Sequence, residues 1–302
     1  MRLSHDGGIS MQIFEDLEAP CTYQGGKQRL APQIVELMYS RYDIGKDTKF
    51  YDLCSGSGAV SLYLLNSGFD LENLVMLDKS SFGLFYKMLG LGKFDLSVWW
   101  SYVKQVPEKE KIKEYLEGLC KTDANEDEVY KFILLQAGAF GGKQIYKDGV
   151  NWKNTSFRGY WTPTETSNRK SPVNPMHPMI DELNDRVHKL AANLIGLKAY
   201  HCDIYEILKN KDFVESTDKV IYIDPPYINT TKYGYSFDLL DFLTKLREVT
   251  GGPVLISEGV DLRTQEGFED LVTDAVKLKF NNKKGGISGN RKKFNEEWLN
   301  FI

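Results

Sequence analysis

The sequence of 302 residues predicts an α/β protein: an open, mostly parallel sheet with helices on both faces, interrupted by a long, mainly helical and loop-rich insertion. Three observations carry that expectation. Short apolar runs rich in β-formers recur, as strands covered on both faces require. Segments of helical periodicity lie between several of them. One stretch of about a hundred residues has neither rhythm, which is too long for a connection inside a compact sheet.

In chain order, residues 30–42 read as a helix, 50–54 as the first strand, 59–66 as a helix and 74–78 as the second strand. The insertion, 95–198, opens with helical patterns at 98–106, 108–120 and 128–138. It continues through Gly141, Gly142, Gly149, Gly159, Pro163, Pro172, Pro175 and Pro178 before a last helix at 179–194. Strand patterns resume at 220–224 and 253–257, with a helix at 236–249 between them.

Composition narrows the function classes. Hydrophobic residues make up 42% and charged residues 26%, which excludes a disordered chain. No apolar run approaches the ~20 residues of a membrane span. The first eighteen residues have neither the basic start nor the apolar stretch of a secretory signal. Cys21, Cys54, Cys120 and Cys202 are scattered without a CxxC pair, and the four histidines are equally dispersed. Neither a disulfide framework nor a metal site is expected. The expectation is a soluble, reduced, cytoplasmic protein.

The net charge of −4 averages over an uneven distribution. Between residues 141 and 179, Lys143, Lys147, Lys153, Arg158, Arg169 and Lys170 face only Asp148 and Glu165. Lys277, Lys279, Lys283, Lys284, Arg291, Lys292 and Lys293 then run on without an acid until Glu296. Such stripes suit a polyanionic partner, and equally suit a solvated surface.

Two motifs carry chemistry. After the first strand comes Asp52-Leu53-Cys54-Ser55-Gly56-Ser57-Gly58, directly before a helix. Glycines there let the backbone approach a ligand, although a tight structural turn uses the same residues. Asp78 ends the next strand, where a carboxylate can accept from both ribose hydroxyls of a nucleoside cofactor. An acid at Asp52 disfavours a pyrophosphate and suits a cationic ligand. The second motif, Asp224-Pro225-Pro226-Tyr227, ends the strand at 220–224. Two prolines make a stiff turn whose carbonyls face outward, flanked by an acid and an aromatic ring.

With these residues in order, the chain resembles the Dam-like, DPPY-type DNA adenine amino-methyltransferases. Tyr23-Gln24-Gly25-Gly26-Lys27 is similar to the family's aromatic-x-Gly-Gly-Lys segment against the cofactor. Tyr200 to Asp203 resembles the segment whose acid nears the cofactor's adenine, and residues 291–302 resemble the closing strand and its loop. The resemblance implies a Rossmann-like catalytic domain from residues 20–94 and 199–302, with 95–198 inserted for target recognition. It implies S-adenosylmethionine as methyl donor, held by Tyr23, Lys27, Asp52, Ser55, Gly56, Gly58, Asp78, Asp203 and Asp224. Adenine in double-stranded DNA would be the acceptor, rotated out of the duplex.

Asp224 and the Pro225 carbonyl would take the amino hydrogens, with Pro226 stiffening the turn and Tyr227 stacking on the base. Transfer would be a direct displacement, without a cysteine nucleophile or a metal. Lys143, Arg158, Asn168, Arg169, Lys170, Lys283, Lys284 and Arg291 are the candidate DNA contacts. The aromatics interleaved there include Trp152 and Trp161, which suit either DNA contact or a small core. The resemblance further implies a bacterial or phage-infected cell, a monomer or weak dimer, and a separately acting restriction endonuclease as a possible counterpart. Competing readings are amino-methylation of cytosine or of an RNA base, and a DNA-binding relative that has lost transfer. A dinucleotide-dependent oxidoreductase is opposed by the missing third glycine.

Overall fold

A computed structural model describes residues 14, 16–228, 237–279 and 296–302. Helix α1 (Ala31–Arg41) leads into strand β1 (Lys49–Leu53), helix α2 (Ala59–Asn66), strand β2 (Leu74–Asp78) and helix α3 (Ser81–Gly90). Helices α4 (Leu96–Val103), α5 (Ile112–Leu119) and α6 (Glu128–Gly138) follow. A hairpin of β3 (Tyr146–Asp148) and β4 (Asn151–Lys153) precedes helix α7 (Ile180–Asn193). The chain returns through β5 (Lys198–His201), α8 (Lys211–Glu215), β6 (Lys219–Ile223), α9 (Leu239–Val249), β7 (Val254–Glu258), β8 (Asp274–Lys277) and β9 (Trp298–Phe301).

Seven strands form one sheet in the order β5-β2-β1-β6-β7-β9-β8. The first five are parallel, and β9 runs antiparallel to both its neighbours. Strand order reverses between β1 and β6, so the loops leaving their carboxyl ends flank a topological switch point, where open α/β sheets bind ligands.

Strands β1, β2, β6 and β7 are buried on both faces, and alternation assigns each side chain to one of two cores. Phe50, Leu74, Met76, Val220, Tyr222 and Leu255 pack on one side. Tyr51, Val75, Leu77, Ile221, Ile223 and Ile256 pack on the other, against Phe213, Phe242 and Leu246. Residues 95–198 lie on the first side and share its core. Trp99, Leu134, Trp152 and Leu183 belong to one cluster with Met76 and Phe82. Helix α6 is buried from Val129 through Gly138, and Phe82 of α3 meets Phe132 edge to face with ring centroids 4.9 Å apart.

The fully buried strands fall where their apolar runs place them. The helices expected at 98–106 and 108–120 are shorter and shifted, at Leu96–Val103 and Ile112–Leu119. Asp95 caps α4, accepting from Ser97 N and Val98 N, which starts it earlier. The hairpin and helix α3 were not expected. Two glycines disguise α3, but Gly83 is there for close packing: a Cβ would sit 2.0 Å from the Asp78 carbonyl oxygen.

Candidate active site

The glycine loop is built from backbone bonds. Ser55 N donates to Leu77 O at 3.0 Å, and Gly58 N to Ser55 O at 2.8 Å. Gly58 has φ +76°, and a Cβ there would lie 2.5 Å from the Tyr86 hydroxyl, which donates to Ser57 O. Only glycine fits. Asp78 stitches this loop to the next one: it accepts from Gly56 N at 2.8 Å, and from the amide and hydroxyl of Ser80, which caps α3. About one of a carboxylate's four acceptor positions remains. That position, on Oδ2, is where a ribose hydroxyl would reach Asp78.

Asp52, in β1, is almost wholly buried. One oxygen accepts from Ser61 Oγ at 2.6 Å; the other has no partner among the described residues. Burial, with the charges of Asp224 and Asp78, pushes its pKa up to about 7 against the Ser61 hydrogen bond.

One strand over, Asp224 follows β6 and donates its amide to Leu53 O at 3.2 Å, so the two loops leave the sheet side by side. Its Oδ1 lies 2.6 Å from Lys27 Nζ. Lys27 is only 5% exposed; it also donates to Gly25 O at 2.9 Å and lies 3.4 Å from Glu297 Oε1. Burial raises the Asp224 pKa to about 6, with Lys27 opposing and Glu297 adding to the shift. The Tyr227 hydroxyl donates to Glu297. Glu258, at the end of β7, accepts from Ile228 N and Gly259 N, and burial lifts its pKa to about 7.

One cavity joins the two loops. Of the residues expected in the site, Tyr23, Lys27, Asp52, Ser55, Gly56, Asp78, Asp203, Asp224, Pro225 and Pro226 line it. Gly58 and Tyr227 are not among the lining residues. Gly58 is turned toward Tyr86, and the Tyr227 ring rests beside Gly259 with its hydroxyl on Glu297. Asp203 pairs with Lys79 at 2.8 Å and caps the turn at Ile204–Lys209. Cys54 and Cys202, expected within strands, lie just past the ends of β1 and β5; Cys54 adopts φ +65° on the cavity wall.

Sequence reasoning missed several lining residues. Ile204, Tyr205 and Phe237 form an apolar end, with Tyr205 and Phe237 ring centroids 6.4 Å apart. Gln144 is the single lining residue from 95–198, and its buried Oε1 has no partner among the described residues. Ser55 Oγ is likewise buried without a partner. Gln144 carries no motif, and the aromatic end draws on two separate segments, so nothing local signalled either.

None of Lys143, Arg158, Asn168, Arg169 and Lys170 lines this cavity. Lys143, Asn168, Arg169 and Lys170 are exposed. Arg158 is half-buried with its guanidinium 5.8 Å from the Phe140 ring centre; burial, then the charge of Arg169, lowers its pKa. Arg169 donates to Ser171 O and Pro172 O. Trp152 is buried and stacked with Phe132, whereas Trp161 is 39% exposed. Lys283, Lys284 and Arg291 lie outside the described residues. Among the described residues, no group of three or more His, Cys, Asp or Glu is placed to hold a metal ion. No described helix is long and apolar enough to cross a membrane.

No curated protein matches the chain. Among solved structures, it is similar to the rRNA methyltransferase aviRa from Streptomyces viridochromogenes, at 11% identity and a TM-score of 0.42. That likeness covers 98% of this chain and 90% of the other. Residues 23–81 match the family model of the D12 class N6 adenine-specific DNA methyltransferases. The matched span begins at Tyr23, takes in Lys27 and the glycine loop, and runs past Asp78, which is one wall of the cavity; Asp224 to Tyr227 lie beyond it. Over that span the chain is similar to the D12 class N6 adenine-specific DNA methyltransferases.

Proposed function

We propose that the chain moves a methyl group from S-adenosylmethionine to the exocyclic amino group of an adenine that has left the DNA duplex. The observation that carries this reading is the single cavity joining the glycine loop of β1 to the Asp-Pro-Pro elbow of β6. The residues fit the donor. Buried acceptors without partners at Asp52, Ser55 and Gln144 call for a ligand rich in N–H and O–H groups. Asp78 has capacity for one ribose hydroxyl. Ile204, Tyr205 and Phe237 offer an apolar slot for a planar base. When bound, S-adenosylmethionine supplies a methyl carbon activated by a sulfonium.

The rest of the chemistry is orientation. Adenine's amino nitrogen is a weak nucleophile because its lone pair is delocalised into the ring. Lys27 holds Oδ1 of Asp224, leaving Oδ2 and the Pro225 carbonyl to accept the two amino hydrogens. Accepting both favours a pyramidal nitrogen whose lone pair points along the donor axis. The Tyr227 ring supports the extruded base, and Pro226 keeps the elbow stiff. Residues 95–198 recognise the target, with Arg158 and Arg169 among their phosphate contacts.

Asp224→Ala, assayed with labelled donor and duplex DNA, is expected to lose about 100-fold or more of transfer while keeping donor affinity. Transfer near the wild-type rate would remove Asp224 from the reaction. Digestion of the product to nucleosides, read by mass spectrometry, should return N6-methyladenosine as the deoxynucleoside. A methylated cytosine, or label in RNA alone, would overturn the substrate.

A further inference from the structure

Glu297 closes the charge network around the elbow, yet it sits at the entry to β9, far in sequence from either motif. Its carboxylate is 6% exposed and has two side-chain partners, one from each half of the site. The Tyr227 hydroxyl donates to Oε1, and Lys27 Nζ stands 3.4 Å from that same oxygen. Lys27 in turn grips Asp224 at 2.6 Å, and its ammonium lies 5.0 Å from the centre of the Tyr227 ring. Burying a carboxylate is costly, and an apolar side chain would pack the same space at less expense. The return is geometric. Tyr227 is fixed by its chain at one end and its phenol oxygen at the other, with Gly259 beside the ring, where an added Cβ would come within 3.4 Å of it.

We propose that Glu297 is a positioning residue for methyl transfer. It fixes the plane of the Tyr227 ring and holds Lys27 where it turns Asp224 toward the substrate amine. This rests on the methyl-transfer reading above, and extends the reactive apparatus to the strand at the far side of β7. Glu297 touches neither donor nor base; it acts through two side chains that do. One carboxylate therefore registers the Gly-Gly-Lys segment against the Asp-Pro-Pro-Tyr elbow.

The test is a double-mutant cycle on the full chain, using Glu297→Gln and Tyr227→Phe singly and together. By thermal melting, the two changes should be less than additive, because both act on the same hydrogen bond: Tyr227→Phe removes its donor and Glu297→Gln removes its acceptor's charge. In single-turnover transfer, Glu297→Gln should slow the methyl step about 10- to 100-fold, as loss of a charge-assisted bond allows. Donor affinity should stay within about twofold, since Glu297 is not on the cavity wall. Glu297→Asp, shorter but charged, should recover part of the rate. Additive melting effects, a wild-type rate for Glu297→Gln, or equal losses of rate and donor affinity would each overturn the assignment. If the wild-type protein transfers no methyl at all, the underlying reading falls and takes this one with it; a transferring wild type beside an unimpaired Glu297→Gln defeats this inference alone.

Discussion

Two loops leave adjacent strands at the same edge of the sheet, and they are held in opposite ways. The turn after β1 is fixed by main-chain hydrogen bonds and by glycine conformations, so its side chains at Asp52 and Ser55 are left with unfilled acceptors. The elbow after β6 has two prolines and few amide donors, and side-chain charges hold it: Lys27, Asp224, Glu297 and, behind Ile228, Glu258. Backbone geometry does not titrate, whereas a buried charge network does. The first loop is thus a fixed cradle for a ligand, and the second is an arrangement whose quality depends on protonation.

Breaking the cradle should do most. Gly58→Ala puts a Cβ 2.5 Å from the Tyr86 hydroxyl at φ +76°, so both backbone strain and overlap oppose it. The expected loss is about 2–4 kcal/mol of stability, read by denaturant unfolding, with donor binding lost alongside. An unfolding curve matching the wild type would show that the turn can relax.

The elbow should answer to charge. Lys27→Met leaves Asp224 and Glu297 facing each other unneutralised. Lys27 lowers the Asp224 pKa, so removing it drives that pKa above about 6. The rising limb of the transfer rate against pH, set by ionised Asp224, should move to higher pH, with the plateau also reduced. An unmoved limb would separate Lys27 from Asp224.

The smallest effect sharpens the contrast. Asp52, Asp224 and Glu258 are all raised by burial, to about 7, 6 and 7. The folded protein therefore holds protons that the unfolded chain releases near pH 4. The stability these groups contribute is fully present below about pH 4 and is lost as pH rises through about 6 to 7. Without ligand, the melting temperature should fall across that window, and Asp52→Asn should flatten part of the fall. A melting temperature that rises there would reverse the sign assigned to burial.

Much of this framework could be read from residues alone, and the exceptions share a cause. Strands β1, β2, β6 and β7 are buried on both faces, so every residue must be apolar or paired, and the runs stand out. Strands β5 and β8 are sheet edges or lie near them, with half-open residues such as Lys198 and Lys277, and no apolar run marks them. In the site, Asp52, Asp78 and Asp224 sit inside contiguous motifs and were legible. The partner of Lys27 was not: spacing along the chain says nothing of a carboxylate 197 residues away. Tyr227 shows the same limit. Its place after the prolines was plain, but the hydrogen bond that turns it toward Glu297 exists only after the sheet has formed.

The edge-to-face meeting of Phe82 and Phe132 has a consequence for how this molecule changes over generations. Helices α3 and α6 belong to one apolar cluster, so the segment proposed to read DNA shares its core with the framework proposed to carry the donor. Exchanging residues 95–198 as a cassette would cut through that shared core. A new target preference is reached instead by point changes on the outward surface, or by rewriting both sides of the shared seam together.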